Sequence, residues 1–271
     1  MQDEVASHYT LGSLGASIES ALQAVVGSSR AVTIDDLAPV DEFHIGGRPA
    51  STHLFDQLGL SADDTVLDIG AGIGGTARFV AKTYGANVQG IDLTPEFCEV
   101  ASSLNKLVGL DDLVTVIEGS ALDMPYADNS FSAAYMMHVG MNIEDKAALY
   151  TEIRRVLKPG GKFAVYDILQ GPNTHDFEFP VPWATTQDTS FLATAEEMQS
   201  LLENAGFTID HRLDRTDFAT NFFKSIAVPA GGTPPPLGLH LIIGSDAKTK
   251  LGNMVKNIDA GRCGPFEFIA H

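Results

Sequence analysis

The stretch Val66–Gly75, VLDIGAGIGG, decides how the rest of this chain is read. Val66, Leu67 and Ile69 make a short apolar run, the pattern of a strand buried in a sheet. Gly70, Gly72, Gly74 and Gly75 follow at once and open GGTARFVAKTYG, where Ala77, Val80, Ala81 and Tyr84 recur at helical spacing. A strand, a glycine turn and a helix in that order let a ligand approach the backbone closely. Gly70, Gly72 and Gly75 also satisfy G-x-G-x-x-G, the dinucleotide pattern. Asp68, on the strand tip two residues before the first glycine, sits awkwardly with that pattern.

Outward from this corner, apolar runs alternate with helices, which predicts an α/β fold with a doubly wound parallel sheet. Strands are expected at Thr65–Ile69, Val88–Leu93, Val114–Glu118, Phe131–Met137 and Lys162–Ile168. Thr94 is placed to cap a helix whose first residue is Pro95 and whose apolar face carries Phe97, Val100, Ala101, Leu104 and Val108. Pro159 and two glycines stop the helix ending in RRVLKPGG. Thr194 and Glu197 spell a capping box before Met198, Leu201, Leu202 and Ala205. Phe207–Leu213 then reads as a strand, with Phe266–Ala270 its antiparallel partner. Between them lie a turn-rich loop, GGTPPPLG, and a helix over Ser245–Ala260. Residues 1–60 read as a helical N-terminal cap, with Ile18, Leu22, Val25 and Val26 at helical spacing. Residues 61–271 form the main domain, and segments at about 171–193 and 217–262 reach the carboxyl edge of the strands, where such sheets bind ligands.

The chain has 271 residues and 44% hydrophobic content, enough for a large core. Its formal charge of −18 opposes a nucleic-acid partner and adhesion to anionic membranes. No apolar stretch approaches the ~20 residues of a membrane span. The opening MQDEVASHYT lacks the basic end and apolar run of a signal peptide, and Cys98 and Cys263 make neither a disulfide framework nor a zinc motif. A reducing cytoplasm is the expected location, and no metal is expected.

Charge narrows the ligand. A dinucleotide places its pyrophosphate at the helix N-terminus, and a carboxylate about 5 Å away would cost roughly 3 kcal/mol at an effective dielectric of about 20. S-adenosylmethionine carries a sulfonium and an ammonium and no phosphate, so the sign reverses. Asp68 therefore favours a cationic ligand. Asp92, about 20 residues beyond the turn, can accept both hydroxyls of a ribose, which suits either coenzyme. An NAD-linked oxidoreductase is the competing reading, and it lacks a Tyr-x-x-x-Lys pair: Tyr150 is followed four positions later by Arg154. A non-catalytic cofactor-binding protein is the third.

VLDIGAGIGG, VQGIDLT, EGSALDMPYADNSF and RRVLKPGGKFAVYD, in that order, resemble the successive motifs of class I S-adenosylmethionine-dependent methyltransferases. The resemblance implies a Rossmann-like, seven-stranded sheet whose last strand is antiparallel, and S-adenosyl-L-methionine as cofactor with S-adenosyl-L-homocysteine as product. Carried over by position, Asp68, Gly70 and Gly72 bind the methionine portion, Asp92 the ribose, and Leu93 packs on adenine. Ser120 stands where many relatives have an acid, so the adenine amino group falls to the backbone of Ala121 and Leu122 or to Asp123. Met137 ends the fourth strand beside them. DEFHIGGRPAST, MMHVGMNIEDK and FPVPWA resemble the small-molecule branch. That branch holds sarcosine and dimethylglycine N-methyltransferases, phosphoethanolamine methyltransferases, and quinone, tocopherol and sterol C-methyltransferases. The implied partner is a small-molecule methyl acceptor, an amine or a quinone, sterol or natural product; a homo-oligomer is open.

His138, just after the fourth strand, is the first candidate for a group facing donor or acceptor. His44, beside Gly46 and Gly47, is a candidate base or orienting donor, and Tyr9 a residue closing over the site from the cap. Trp183, the single tryptophan, can hold a cationic amine on its π face, worth ~0.5–2 kcal/mol, or anchor a loop. Arg212 and Arg215 can pair with a substrate carboxylate or with surface acids.

Overall fold

Five parallel strands start the fold: β1 (Thr65–Ile69), β2 (Asn87–Asp92), β3 (Val114–Glu118), β4 (Phe131–Met137) and β5 (Leu157–Gln170). With β6 (Ile209–Asp214) and β7 (Cys263–Ala270) they form one seven-stranded sheet in the order β3-β2-β1-β4-β5-β7-β6. The computed structural model describes residues 2–28, 30–226 and 235–271. β7 inserts between β5 and β6 and runs antiparallel to both. The strand order reverses at β1/β4, the switch point where a crevice opens beyond the carboxyl ends.

Helices cover both faces: α5 (Gly75–Tyr84), α6 (Pro95–Leu107), α7 (Lys146–Val156) and α8 (Ala195–Asn204). One face buries Phe79 and Val80 against Tyr135 and Tyr166; the other buries Leu149, Tyr150, Met198 and Leu202 against Phe163 and Phe268. The capping box at Thr194 and Glu197 forms in full. Thr94 caps α6 without a side-chain bond; its backbone N–H donates to Asp92 Oδ1 instead.

Four helices precede β1: α1 (Gln2–Tyr9), α2 (Leu14–Val25), α3 (Ile34–Asp41) and α4 (Gly47–Asp56). Leu14, Ile18 and Leu22 of α2 pack on Val100 and Leu104 of α6, whereas Val25 faces outward and is half exposed, contrary to its expected place on the stripe. Arg78 of α5 is sealed from solvent and binds the Asp41 carboxylate, Asn105 Oδ1 and the Ile73 carbonyl. That ion pair pins the end of α3 beside the glycine turn.

β5 begins earlier than the apolar run suggests. Leu157 already pairs with Phe131, and pairing resumes at Lys162 with Ala133, so Lys158–Gly161 forms a bulge inside the strand. Pro159 lacks a ladder donor and Gly160 has φ +74°, which suits them to a bulge. Between β6 and β7 lie α9 (Thr216–Ile226), α10 (His240–Ile243) and α11 (Ala247–Asp259). The first four residues of GGTPPPLG, 231–234, lie outside the described residues. Among the described residues no helix is long and apolar enough to cross a membrane.

Candidate active site

A cavity of about 390 Å³ opens at the switch point. Its wall includes Asp68, Gly70, Gly72, Asp92, Leu93, Ser120, Ala121, Leu122 and Met137, together with Tyr9, His44 and His138. The β-strand tips set the floor, and α1 supplies Gln2, Val5 and Tyr9 from the opposite side. Gln2 Nε2 donates to Ser120 Oγ at 2.8 Å and Tyr9 Oη to Asn142 Oδ1 at 3.0 Å, which ties α1 across the mouth.

Gly70 and Gly72 both have positive φ, +71° and +54°. A Cβ on Gly70 would collide with Val139, so only glycine fits. At Gly72 nothing stands within 4 Å of an added Cβ. Asp92 Oδ2 accepts the Gly72 N–H at 2.7 Å while Oδ1 accepts the Thr94 N–H at 2.8 Å. The carboxylate expected to meet a ribose thus also stitches the two turns together; each oxygen keeps a second lone pair. Burial raises its pKa, against the opposing backbone bonds.

Asp68 is buried, and its Oδ2 accepts hydroxyl bonds from Thr76 and Tyr135, both at 2.9 Å. Burial lifts its pKa to about 7, more than the two hydroxyls lower it. A lone anion is therefore too simple a picture of this residue. The selection by charge belongs to the whole wall, which contains Asp41, Asp68, Asp92, Glu144 and Asp145 and no lysine or arginine. Asp41 is neutralised by Arg78; the others offer nothing to a phosphate. Asp123 is exposed and not part of the wall, which removes it as the adenine partner.

A second cavity, about 580 Å³, shares Tyr9, Phe43, His44 and His138 with the first. Its remaining wall is mostly apolar: Trp183, Phe222, Phe223, Leu251, Met254 and Ile258 among others. Trp183 is almost sealed, with Nε1 donating to Ser190 Oγ at 3.0 Å and its carbonyl accepting from Asn142. Arg212 and Arg215 border neither cavity. Arg212 pairs with the surface acid Glu196, one of the two roles expected of it, and Arg215 lies 4.1 Å from the centre of the Phe218 ring.

The two histidines differ in one decisive way. His138, at φ +57°, accepts the Ile45 N–H at Nε2 and donates from Nδ1 to the Tyr166 carbonyl, each at 3.1 Å. Both nitrogens are spent on backbone, and burial depresses its pKa to about 3. It fastens the segment around Ile45 to the sheet through both nitrogens while its ring lines both cavities. His44 Nε2 contacts the Gly47 carbonyl at 3.1 Å and Ser51 Oγ at 3.0 Å; burial lowers its pKa to about 4. Glu42 Oε2 lies 3.3 Å away; desolvation, with the Arg48 charge, outweighs the Gly47 bond, and the ring is neutral at pH 7.

Residues 67–165 match the family described as "Methyltransferase domain". The chain contains a methyltransferase domain. It is 30% identical over 188 residues to the methyltransferase GfsG of Streptomyces halstedii, 67% of this chain and 65% of that protein. It is 32% identical over 170 residues to the sterol 24-C-methyltransferase erg6 of Aspergillus fumigatus, 61% of this chain and 45% of that one. The chain therefore spans less than two thirds of either relative. Geranyl diphosphate C-methyltransferase from Streptomyces coelicolor A3(2) shares the fold, with a TM-score of 0.72 at 17% identity over 99% of this chain and 96% of that chain.

Sequence reading missed three residues that build the methyltransferase-domain crevice: Thr76, Tyr135 and Asn142. Tyr135 is the strand partner of Asp68 in the β1–β4 register, so only the pairing brings its hydroxyl to that carboxylate. Asn142 joins Tyr9 to the Trp183 and Thr189 carbonyls, two segments far apart in the chain.

Proposed function

We propose that this protein transfers the methyl group of S-adenosylmethionine to a bulky, apolar small molecule. The observation that carries the reading is the pairing of two joined cavities. One is acidic and glycine-floored with no lysine or arginine in its wall; the other is apolar. The volume of the first lies in the range of about 300–1,000 Å³ typical of ligand sites. The open space over Gly72 and the acidic wall fit a cationic adenosyl ligand better than a pyrophosphate. When bound, that cofactor supplies a methyl already activated on a sulfonium.

The chain's own residues then do three things. Asp68 and the acids near it balance the positive charge. Gly70 and Gly72 admit close backbone approach, Asp92 offers its oxygens to hydroxyls, and Leu93, Ser120, Ala121, Leu122 and Met137 surround the base and sugar. Tyr9, Phe43 and the apolar wall hold the acceptor in line and exclude water; such positioning alone is worth about 7–11 kcal/mol. A sterol is the substrate that the name of one similar protein gives, the sterol 24-C-methyltransferase of Aspergillus fumigatus. A sarcosine-sized amine would leave most of a 580 Å³ cavity empty, so the smaller amines are the weaker choice.

Isothermal calorimetry with S-adenosylhomocysteine and with NADH tests the cofactor half. Tight binding of the first and none of the second is expected; the reverse would discard the proposal. Fluorescence of Trp183, on the wall of the second cavity, should change on titration with an apolar ligand.

A further inference from the structure

We infer that His44 is the general base of this site, acting through Nδ1 on an acceptor hydroxyl of phenol or enol type. This rests on the methyl-transfer reading above and names the acceptor chemistry it leaves open.

The tautomer of His44 follows from its bonds. The Gly47 carbonyl can only accept, so Nε2, 3.1 Å away, carries the ring proton. Ser51 Oγ, which donates its own proton to Glu42 Oε2 at 2.9 Å, is free to accept from the same Nε2. Nδ1 is then an unprotonated lone pair. It takes no hydrogen bond from any described residue and is not among the sealed polar atoms that lack a partner, although the side chain as a whole is only 2% exposed. His44 lines both cavities where they adjoin, which puts this nitrogen within the joined site. Of the two histidines there, His44 alone keeps an open nitrogen; those of His138 are both bound to backbone.

Burial and the Arg48 charge oppose a charged ring at rest, so the proton needs partners during reaction. Glu42 Oε2 lies 3.3 Å from Nε2, and Arg48 Nε holds the other oxygen of Glu42 in place. A buried imidazolium would face this carboxylate and two further acceptors, Ser51 Oγ and the Gly47 carbonyl. In the step, the acceptor O–H bond breaks and its proton goes to Nδ1. The oxygen forms the new bond to the methyl carbon, and the methyl–sulfur bond breaks with its electron pair left on sulfur. The sulfonium charge disappears as the imidazolium charge appears, so charge balances without any further reactant. The depressed pKa of the resting ring keeps the lone pair available at neutral pH.

His44→Gln is the discriminating variant, because its side-chain amide can still donate to the Gly47 carbonyl while Nδ1 is lost. Label transfer from methyl-tritiated S-adenosylmethionine is measured into 1-naphthol and 2-naphthol, beside a non-ionisable alkene probe of similar size. General-base catalysis is worth about 10²–10⁴-fold, and a loss of that order in transfer to the naphthols is expected, with S-adenosylhomocysteine affinity unchanged. Equal transfer by H44Q and wild type, or wild-type transfer to the alkene alone, overturns the inference. Failure of the wild type to bind S-adenosylhomocysteine would instead overturn the methyl-transfer reading. Long-range ¹H–¹⁵N correlation on histidine-labelled protein reads the tautomer directly: Nε2–H with bare Nδ1 is expected, and a proton on Nδ1 refutes the assignment.

Discussion

Asp68 lies under the glycine turn with the Thr76 and Tyr135 hydroxyls on one oxygen, and its pKa of about 7 follows mainly from burial. A cationic ligand stabilises the ionised form, so binding should release a proton wherever the free protein holds this carboxyl neutral. Affinity for S-adenosylmethionine should therefore strengthen as pH rises from 5.5 to 7.5, by up to about tenfold per unit. In Asp68→Asn that slope should vanish and binding at pH 7.5 should weaken. Calorimetry in buffers of differing ionisation enthalpy would count the proton. Proton uptake on binding would show that the positive charge is held elsewhere.

At the scale of elements, the decisive unit is the turn between β1 and α5. Gly72 and Gly59 share a left-handed φ, +54° and +68°, and at neither does an added Cβ meet an atom within 4 Å. Alanine at either position should cost about 1–2 kcal/mol of stability through backbone strain. Only Gly72 borders the acidic cavity, where the methyl would occupy ligand space and disturb the N–H bonded to Asp92. Gly72→Ala should thus lose S-adenosylhomocysteine affinity at least tenfold, while Gly59→Ala changes only the melting temperature. Equal affinities in the two variants would mean that no ligand passes over Gly72. The elements themselves were largely visible beforehand: β1, β3 and β4 match their expected bounds, and the Thr194–Glu197 box forms. β5 was misjudged because Pro159 and two glycines read as a turn, whereas pairing with β4 on both sides turns them into a bulge.

Across the whole molecule, buried ionisable groups set the pH profile. Asp68 and Asp167 have folded pKa values raised to about 7 by burial. Their contribution to stability is complete below the unfolded value near 3.9 and is lost as pH rises through about 7. His44 and His138, depressed to about 4 and 3, act the other way: their contribution is present above the unfolded value near 6.5 and fades below it. The two effects oppose each other from pH 5 to 6.5, and above 6.5 only the carboxylates act. The ligand-free protein should accordingly melt at a lower temperature at pH 8 than at pH 6.5, and Asp68→Asn should shrink that difference. A melting temperature that climbs over this range, followed by calorimetry, would contradict the assignment of these carboxyls.

The succession of strands and helices along the chain, the glycine corner, and the acids at the tips of β1 and β2 are consequences of local pattern: apolar periodicity, backbone freedom at glycine, and a carboxylate beside a helix N-terminus. Sequence alone determined these, because each depends on residues a few positions apart. Which histidine keeps a free nitrogen, that Tyr135 reaches Asp68, and that α1 closes one cavity and opens onto another were decided by tertiary structure alone. The Asp68–Tyr135 and Tyr9–Asn142 bonds join atoms 67 and 133 positions apart in the chain, and only sheet register and helix packing bring such atoms within hydrogen-bonding distance.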